Sequence, residues 1–588
     1  MNHSFLEQIR RKYDLTPPII IILSLTILFF LVFLIYPLLY VFKEAFWIEN
    51  TFNLHYFKLM VTDPNIRKLV VNSFYLGVMV TILTSILSLP LAYFLTRYRF
   101  PGRNIFRSVI LIPMIMPPFV GALGMMKFFG NYGSVNLLLQ KLHILNPEAD
   151  PINWFGSGFW GVVLLSTLHL YPIMYLNIVA ALSNVDPSLE EAAENLGSSR
   201  FQIFRNITLP LMMPGYFAGA ILVFIWSFTD LGTPLIFNYN DVIAVRIFRQ
   251  VQDANQNPMG YALVVLIIVL TAFAFYASKK WTGTKHYEML GRGHVTSREV
   301  DVKWSMRSII YIFIGGLTFM ALLPHLSVIL ASLTRSEGDW NFTILPKSYT
   351  FLHYSETFTH ADTLPSILNS LKYSICSTVV ALIVGVVIAY LLTRKKLPFQ
   401  NLLDAIAMLP LALPGVAIAF GYMGSFSDTS FLLRNLPVGL IDIIDPRKNP
   451  TVLLIISYAV RRLPYMLRSI YAGFQQTSIA YEEASQNMGA TPVRTLYKIT
   501  LPLVFANILA GAILVFSFSM LEVSDSLILA QENQYYPITK AIWSLSQRLG
   551  DGPYIASALG VVGMFILIGC LLGAGRVLGG KLGEIFRI

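Results

Sequence analysis

Asp230, Glu522 and Asp525 are carboxylates set in otherwise apolar stretches, and that setting asks for a chemical reason. A charge held in hydrocarbon costs at least about 2.5–3.5 kcal/mol, so it persists where it contacts a solute, holds a gate, or pairs with a basic side chain. Asp230 ends the run Ser227-Phe228-Thr229-Asp230, Glu522 ends Ser519-Met520-Leu521-Glu522, and Asp525 follows about one helical turn later. The three are expected to line a central pathway near its outer gate, touching a cationic solute or bracing the gate. Pairing with a nearby Arg or Lys, or reaching interfacial water, is the competing reading. Phosphate chemistry finds no home in the chain. A phosphate-cradling loop needs a glycine-rich turn, a Lys and then a hydroxyl for magnesium, whereas Gly575 to Gly580 leads to Lys581 and Leu582. That stretch reads as a small-residue helix end with a snorkelling lysine. The two cysteines, Cys376 and Cys570, lie far apart in apolar runs, which suits packing rather than a disulfide or metal site. No catalytic residue, metal or cofactor is expected in the chain itself.

The elements that would hold these acids follow from composition. At 588 residues, 55% hydrophobic and 13% charged, with a mean hydropathy of +0.62, the chain is too apolar for a string of soluble domains. A helix needs about 20 apolar residues to cross roughly 30 Å of hydrocarbon. Such runs lie at about 17–42, 69–96, 108–129, 159–182, 214–237, 259–281, 308–332, 367–392, 403–424, 450–472, 506–530 and 554–576. They predict an all-α polytopic membrane protein of about twelve helices, since barrel strands would alternate and need only about 10 residues each. Arg10-Arg11-Lys12 precedes a first run with Pro37 and no small-residue cleavage site, so that run is expected to stay as a helix. With the amino terminus inside, both termini are cytoplasmic and about 27 of the 43 Lys and Arg fall on the inner side. Anionic headgroups facing basic inner loops, such as Arg97, Arg99, Arg103 and Arg107, account for the net charge of +11 without nucleic acid.

The chain repeats itself. Asn72-Ser73 opens a run ending in Leu95-Thr96-Arg97 and Pro101; Asn369-Ser370 opens another ending in Leu392-Thr393-Arg394 and Pro398, displaced by 297. Pro113 and Pro117 recur at that displacement as Pro410 and Pro414, then the displacement falls to 292 and Gly219 to Phe224 recurs letter for letter as Gly511 to Phe516. This divides the chain into halves at 1–281 and 308–588, joined by a polar, basic cytoplasmic linker at 282–307. Six spans per half is an even number, so the halves are expected to share one sense and to enclose a central pathway.

Between the fourth and fifth spans of each half lies a long polar loop, at about 186–210 and 478–502. The first reads Glu190-Glu191-Ala192-Ala193, three residues, Gly197, nine residues, Ile207-Thr208-Leu209-Pro210; the second reads Glu482-Glu483-Ala484-Ser485, three residues, Gly489, nine residues, Ile499-Thr500-Leu501-Pro502. Asp186 is placed to cap a helix beginning at Pro187, with Ser478 the candidate in the second copy, and Gly197 and Gly489 are placed to end them. This pattern resembles the EAA loop of type I ABC importer permeases, and the likeness extends along nearly the whole chain. The resemblance implies that Glu190, Glu191, Ala192, Ala193 and Gly197, with Glu482, Glu483, Ala484, Ser485 and Gly489, dock on a separate dimer of ATP-binding cassette subunits. Those partners would bind ATP and magnesium, a solute-binding protein outside would deliver cargo, and a bulky residue at Gly197 or Gly489 would uncouple transport. The run Thr229 to Pro234 is similar to the ferric-iron, thiamine, phosphonate and polyamine branch, with ferric iron favoured and a phosphonate next. A bacterial inner-membrane location follows. An ion-coupled carrier with twelve helices is the alternative, and it leaves two matched docking loops unexplained.

Other polar residues carry smaller expectations. Asn72 and Asn369 are read as helix caps. Arg461, Arg462 and Arg468 in the tenth span are read as snorkelling, ahead of a contact with the ATPase. Pro113 to Pro118 and Pro410 to Pro414 predict kinked or broken helices.

Overall fold

The computed structural model describes residues 13, 16–48, 51–146, 148, 150–183, 185–251, 258–283, 300–427, 430, 434 and 437–577. Backbone polar groups in hydrocarbon have no water to bond, so each apolar run satisfies them along a helix. Among the described residues, eight helices are long and apolar enough to cross a membrane: Pro17–Phe46, Pro64–Arg97, Phe159–Ser183, Arg200–Ile236, Met259–Ser278, Trp304–Leu333, Thr363–Arg394 and Gly552–Gly573. Three more are bent pairs, Arg103–Ile115 with Pro118–Lys141 at 95°, Gln400–Leu411 with Gly415–Ser425 at 100°, and Pro492–Leu503 with Phe505–Met520 at 75°. Thr451–Gln476 completes the set; its 26 residues reach about 39 Å, although three arginines dilute its apolar character. These are spans 1 to 12 in chain order.

The bends in spans 3 and 9 fall at the paired prolines, where a missing N–H and a ring clash interrupt the helix. The bend in span 11 is a departure from expectation. Pro210 and Pro502 both follow a five-residue π-helical turn, Phe204–Thr208 and Leu496–Thr500, yet the first half runs on while the second breaks at Val504. Span 11 also stops at Met520, and a separate short helix, Ser524–Leu529, replaces the expected run to 530.

The first span of each half packs on the last span of its own half and on the third span of the other. Span 1 packs on span 6 and on Gly415–Ser425, where Tyr422 Oη donates to Phe33 O at 2.6 Å and Tyr36 Oη to Ser425 O at 3.2 Å. Span 7 packs on Pro118–Phe129 and span 12, and Gly121 and Gly124 approach Pro324 and Ser327 so closely that a β-carbon would collide. Close approach of this kind requires glycine. Of the expected linker, residues 284–299 lie outside the described residues, as do Arg10, Arg11 and Lys12 before the first span and Lys581 after the last. Val300–Asp301 pairs in parallel with Tyr98–Arg99, and Tyr311 Oη donates to Pro101 O at 2.8 Å. The second half thus begins against the basic loop of the first.

Candidate functional site

Two short helices, Pro187–Asn195 and Ala480–Asn487, carry the duplicated loop residues. Asp186 caps the first, its carboxylate accepting from Ser188 N at 2.9 Å. Ser478 Oγ accepts from Ala480 N at 3.3 Å, but Ile479 holds the cap position, so this helix starts one residue later than Ser478 predicts. Both end alike. Gly197 at φ +84° and Gly489 at φ +87° turn left-handed, and Ser198 N then bonds Ala193 O as Ala490 N bonds Ser485 O.

The adjacent glutamates diverge. Glu191 and Glu483 are exposed, with Ala192 and Ala484 beside them, while Glu190 and Glu482 are buried. Glu190 Oε1 accepts from Arg97 Nη2 at 2.8 Å and from Thr208 Oγ1 at 2.7 Å. Glu482 Oε1 accepts from Arg394 Nε at 2.8 Å, and Arg394 Nη2 donates to Thr477 O at 3.0 Å. Arg97 and Arg394 are the last residues of spans 2 and 8. The expectation that Glu190 and Glu482 face a partner is therefore corrected: a buried carboxylate keeps its charge only beside a cation, and each is spent on its own half. Ser485, partly buried like Ala193, lies 3.0 Å from Thr495 Oγ1 through its hydroxyl; the first half has Ala193 and Ile203 at those places. Sequence reasoning passed over the apolar side chains on the outward face. Leu196 is 86% and Met488 89% exposed, and Leu189 with Tyr481, and Phe201 with Val493, are exposed as matching pairs. Large apolar residues at equal positions of two polar loops were the available signal.

At the far end of spans 2 and 8, about 36 Å along the helix, the duplicated Asn-Ser pairs hold two other short helices, Ile243–Arg249 and Ile538–Ser546. Ser73 Oγ accepts from Ile243 N at 2.9 Å and Asn72 Nδ2 donates to Asp241 O at 3.1 Å. Ser370 Oγ accepts from Ile538 N at 2.7 Å, and Asn369 Nδ2 donates to Gln534 O at 2.8 Å and Tyr536 O at 3.2 Å. Asn72 and Asn369 are not caps of their own helices, which begin at Pro64 and Thr363. They donate to carbonyls just ahead of the helices opposite, while Ser73 and Ser370 accept from the first N–H groups of those helices, which have no partner within their own turn. Those two helices meet across the halves, with the Phe248 and Trp543 rings 5.6 Å apart and edge to face.

Between the two ends lies a cavity of about 160 Å³, lined by His169 and Asp230 from the first half and Arg461, Arg462 and Glu522 from the second. Arg461 Nη1 is 2.5 Å from Glu522 Oε1 and 3.3 Å from Asp525 Oδ1. Arg462 pairs with Glu522 and lies over the Phe518 ring. Asp525 is fully buried behind the cavity wall and accepts from Ser457 Oγ at 2.7 Å. Neither snorkelling nor an ATPase contact describes Arg461 and Arg462; both turn inward because two carboxylates offset their burial. Arg468 pairs with Asp404 at 3.0 Å on more open surface. Gly415 leaves the space that the Arg461 guanidinium fills, since a β-carbon there would strike it. The first half has His169 and Pro118 at these positions, with His169 Nδ1 2.9 Å from Pro113 O. Asp230 Oδ1 accepts from Gly232 N at 3.1 Å and Thr233 N at 3.4 Å, capping the short helix Gly232–Ile236. Among the described residues no group of three His, Cys, Asp or Glu side chains could hold a metal ion.

Residues 88–281 and 381–574 each match the family described as binding-protein-dependent transport system inner membrane component. The chain is 25% identical over 558 residues to the ferric transport system permease protein FbpB of Actinobacillus pleuropneumoniae, covering 94% of this chain and 77% of that protein. It is 28% identical over 512 residues to a putative ferric transport system permease protein, FbpB 1, of Haemophilus influenzae, covering 86% of this chain and 76% of the relative. The molybdenum transport system permease protein ModB of Escherichia coli is 29% identical over 247 residues, which takes in 40% of this chain and 100% of ModB.

Proposed function

This chain belongs to the family of binding-protein-dependent transport system inner membrane components, as the multi-pass permease of an ABC importer, and from that premise we propose that its two exposed helix surfaces seat ATP-binding subunits while its cavity passes ferric iron. The observation that carries the docking reading is the matched apolar face: Leu189, Leu196 and Phe201 in one half, Tyr481, Met488 and Val493 in the other. Large apolar side chains are worth about 1.5–3 kcal/mol each when covered, and three in each half, on the short helix, at its end and on the helix that follows, suit a partner of twofold symmetry. Glu191 and Glu483 stand on the same helices, free to meet basic side chains. ATP hydrolysis falls to that partner.

The coupling follows from spans 2 and 8. Each is anchored at one end to a docking helix by Arg97–Glu190 or Arg394–Glu482, and at the other holds a mouth helix through Asn72-Ser73 or Asn369-Ser370. A push on the docking helix therefore moves a rigid rod whose far end carries the mouth. With the docking end cytoplasmic, the mouth helices face the solute-binding protein, and closure and reopening of the ATPase pair alternate access to the cavity. Two arginines and two carboxylates, Asp230 and Glu522, line the cavity, and Asp525 behind its wall brings the acids to one in excess, which suits a cation over an oxyanion such as molybdate.

The test is a Leu196→Asp, Met488→Asp double variant, co-expressed with the ATP-binding subunit and purified in detergent. Loss of the co-purifying ATPase, together with loss of radioiron uptake into proteoliposomes supplied with the binding protein, is expected. An undiminished ATPase yield would overturn the docking surface, and molybdate uptake in place of iron by the unaltered complex would overturn the cargo.

A further inference from the structure

Lys540 has no counterpart in the first half. The Ser73–Ile243 and Ser370–Ile538 contacts register the two mouth helices, and that register places Val245 opposite Lys540 and Phe248 opposite Trp543. Val245 is fully buried, as an apolar residue at this place should be; Lys540 is only 4% exposed. Its ammonium donates to Leu527 O at 2.9 Å and lies over three rings, Trp543 at 4.9 Å, Tyr536 at 5.5 Å and Phe248 at 5.6 Å. Trp543 and Tyr536 belong to the second half, Phe248 to the first. No carboxylate forms an ion pair with Lys540 among the described residues. The adjacent Thr539 Oγ1 donates to the backbone O of Glu522 at 2.7 Å, and Glu522 lines the cavity, so this lysine is one residue from a contact with a cavity residue, at a place where the halves touch.

We propose that Lys540 shuts the mouth to cations: its ammonium, held over the rings that join the halves, places an uncompensated positive charge across the closed pathway. Burial lowers its proton affinity to about 8, which still leaves it mostly protonated at neutral pH, so the charge is present when the mouth is shut. A fixed cation in a narrow, dry constriction repels other cations while adding little hindrance to anions. When the halves part, Phe248 leaves with the first half, the constriction widens and water enters, so the repulsion from the ammonium is screened only on opening. The inference rests on the pathway reading above; ATP-driven uptake serves as the separate control for that reading.

The experiment compares wild type, Lys540→Met and Lys540→Arg as complete complexes in proteoliposomes without ATP, following potassium and chloride entry with trapped indicator dyes. Methionine fills similar volume without charge; arginine keeps the charge over the rings. Potassium entry should rise roughly tenfold in Lys540→Met, with chloride entry unchanged, and stay at the wild-type level in Lys540→Arg. A Lys540→Met complex tight to potassium would overturn the proposal, and so would equal rises for potassium and chloride, since loosened packing leaks both. If Lys540→Met does not assemble, Lys540→Gln is judged by the same two ions. Absence of ATP-driven iron uptake in every complex, wild type included, would count against the pathway reading and not against the barrier.

Discussion

Spans 4 and 10 occupy equivalent places in the two halves, yet span 10 turns Arg461 and Arg462 into the cavity where span 4 presents His169 and Leu170. Around this difference other residues have changed in step. Glu522 and Asp525 face the arginines, where Asp230 and Thr233 stand in the first half. Gly415 makes room for Arg461, where Pro118 accompanies His169. Ser485 bonds Thr495 on the docking helix, where Ala193 and Ile203 stand. The ends are treated differently: both docking helices keep a buried Glu on a span-end Arg, and both mouth helices keep an Asn-Ser clamp. A duplicated frame tolerates a new interior when each exchange brings its own partner, but it repeats the contacts that connect one end of a span to the other.

The comparison breaks hardest at Glu522. Glu522→Gln leaves Arg462 buried against a neutral amide and Arg461 with Asp525 alone, and removing one partner of a buried pair costs about 3–5 kcal/mol. Asp230→Asn, its counterpart, exchanges one competent helix cap for another and should cost well under about 1 kcal/mol. Thermal unfolding of the detergent-purified complexes should show a large drop for the first and almost none for the second; equal drops would mean that the halves are held alike.

A middle-sized effect should be symmetrical. Gly197→Val and Gly489→Val force a β-branched residue into left-handed backbone, at roughly 1–2 kcal/mol each, although nothing lies within 4 Å of either site to clash with it. Both variants should fray the docking helix and lower ATPase affinity by about tenfold, which titration of the purified ATP-binding subunit would measure. A strong effect in only one half would show that the partner reads the two helices differently.

The smallest effect sharpens the idea of paired exchange. Ser485→Ala removes one hydrogen bond, worth about 0.5–1.5 kcal/mol, and Thr495→Ile alone leaves Ser485 without its partner. The double variant rebuilds the first half's pair and should recover most of the loss in a double-mutant cycle. Additive losses would mean that the two side chains do not answer one another.

Much of this architecture is legible in the sequence because the signals are local or repeated. Span length follows from what hydrocarbon demands of a backbone, the bends of spans 3 and 9 follow from proline, and the docking helices announce themselves through Asp186, Gly197 and Gly489 at fixed spacing. Periodicity could not say which of two adjacent glutamates turns inward, because that depends on Arg97 and Arg394 arriving from spans more than eighty residues away in sequence. The same holds for Asn72 and Asn369, whose position near the start of an apolar run suggested caps, while their partners are the mouth helices beyond span 5 and span 11. Arg461 and Arg462 looked like residues seeking water until Glu522 and Asp525 came within reach. Composition and repeat therefore determined a membrane chain of about twelve helices in two halves with paired polar loops. Only the tertiary structure decided where each polar side chain points, because the low dielectric of the interior makes every buried charge depend on a partner that the chain supplies from far away.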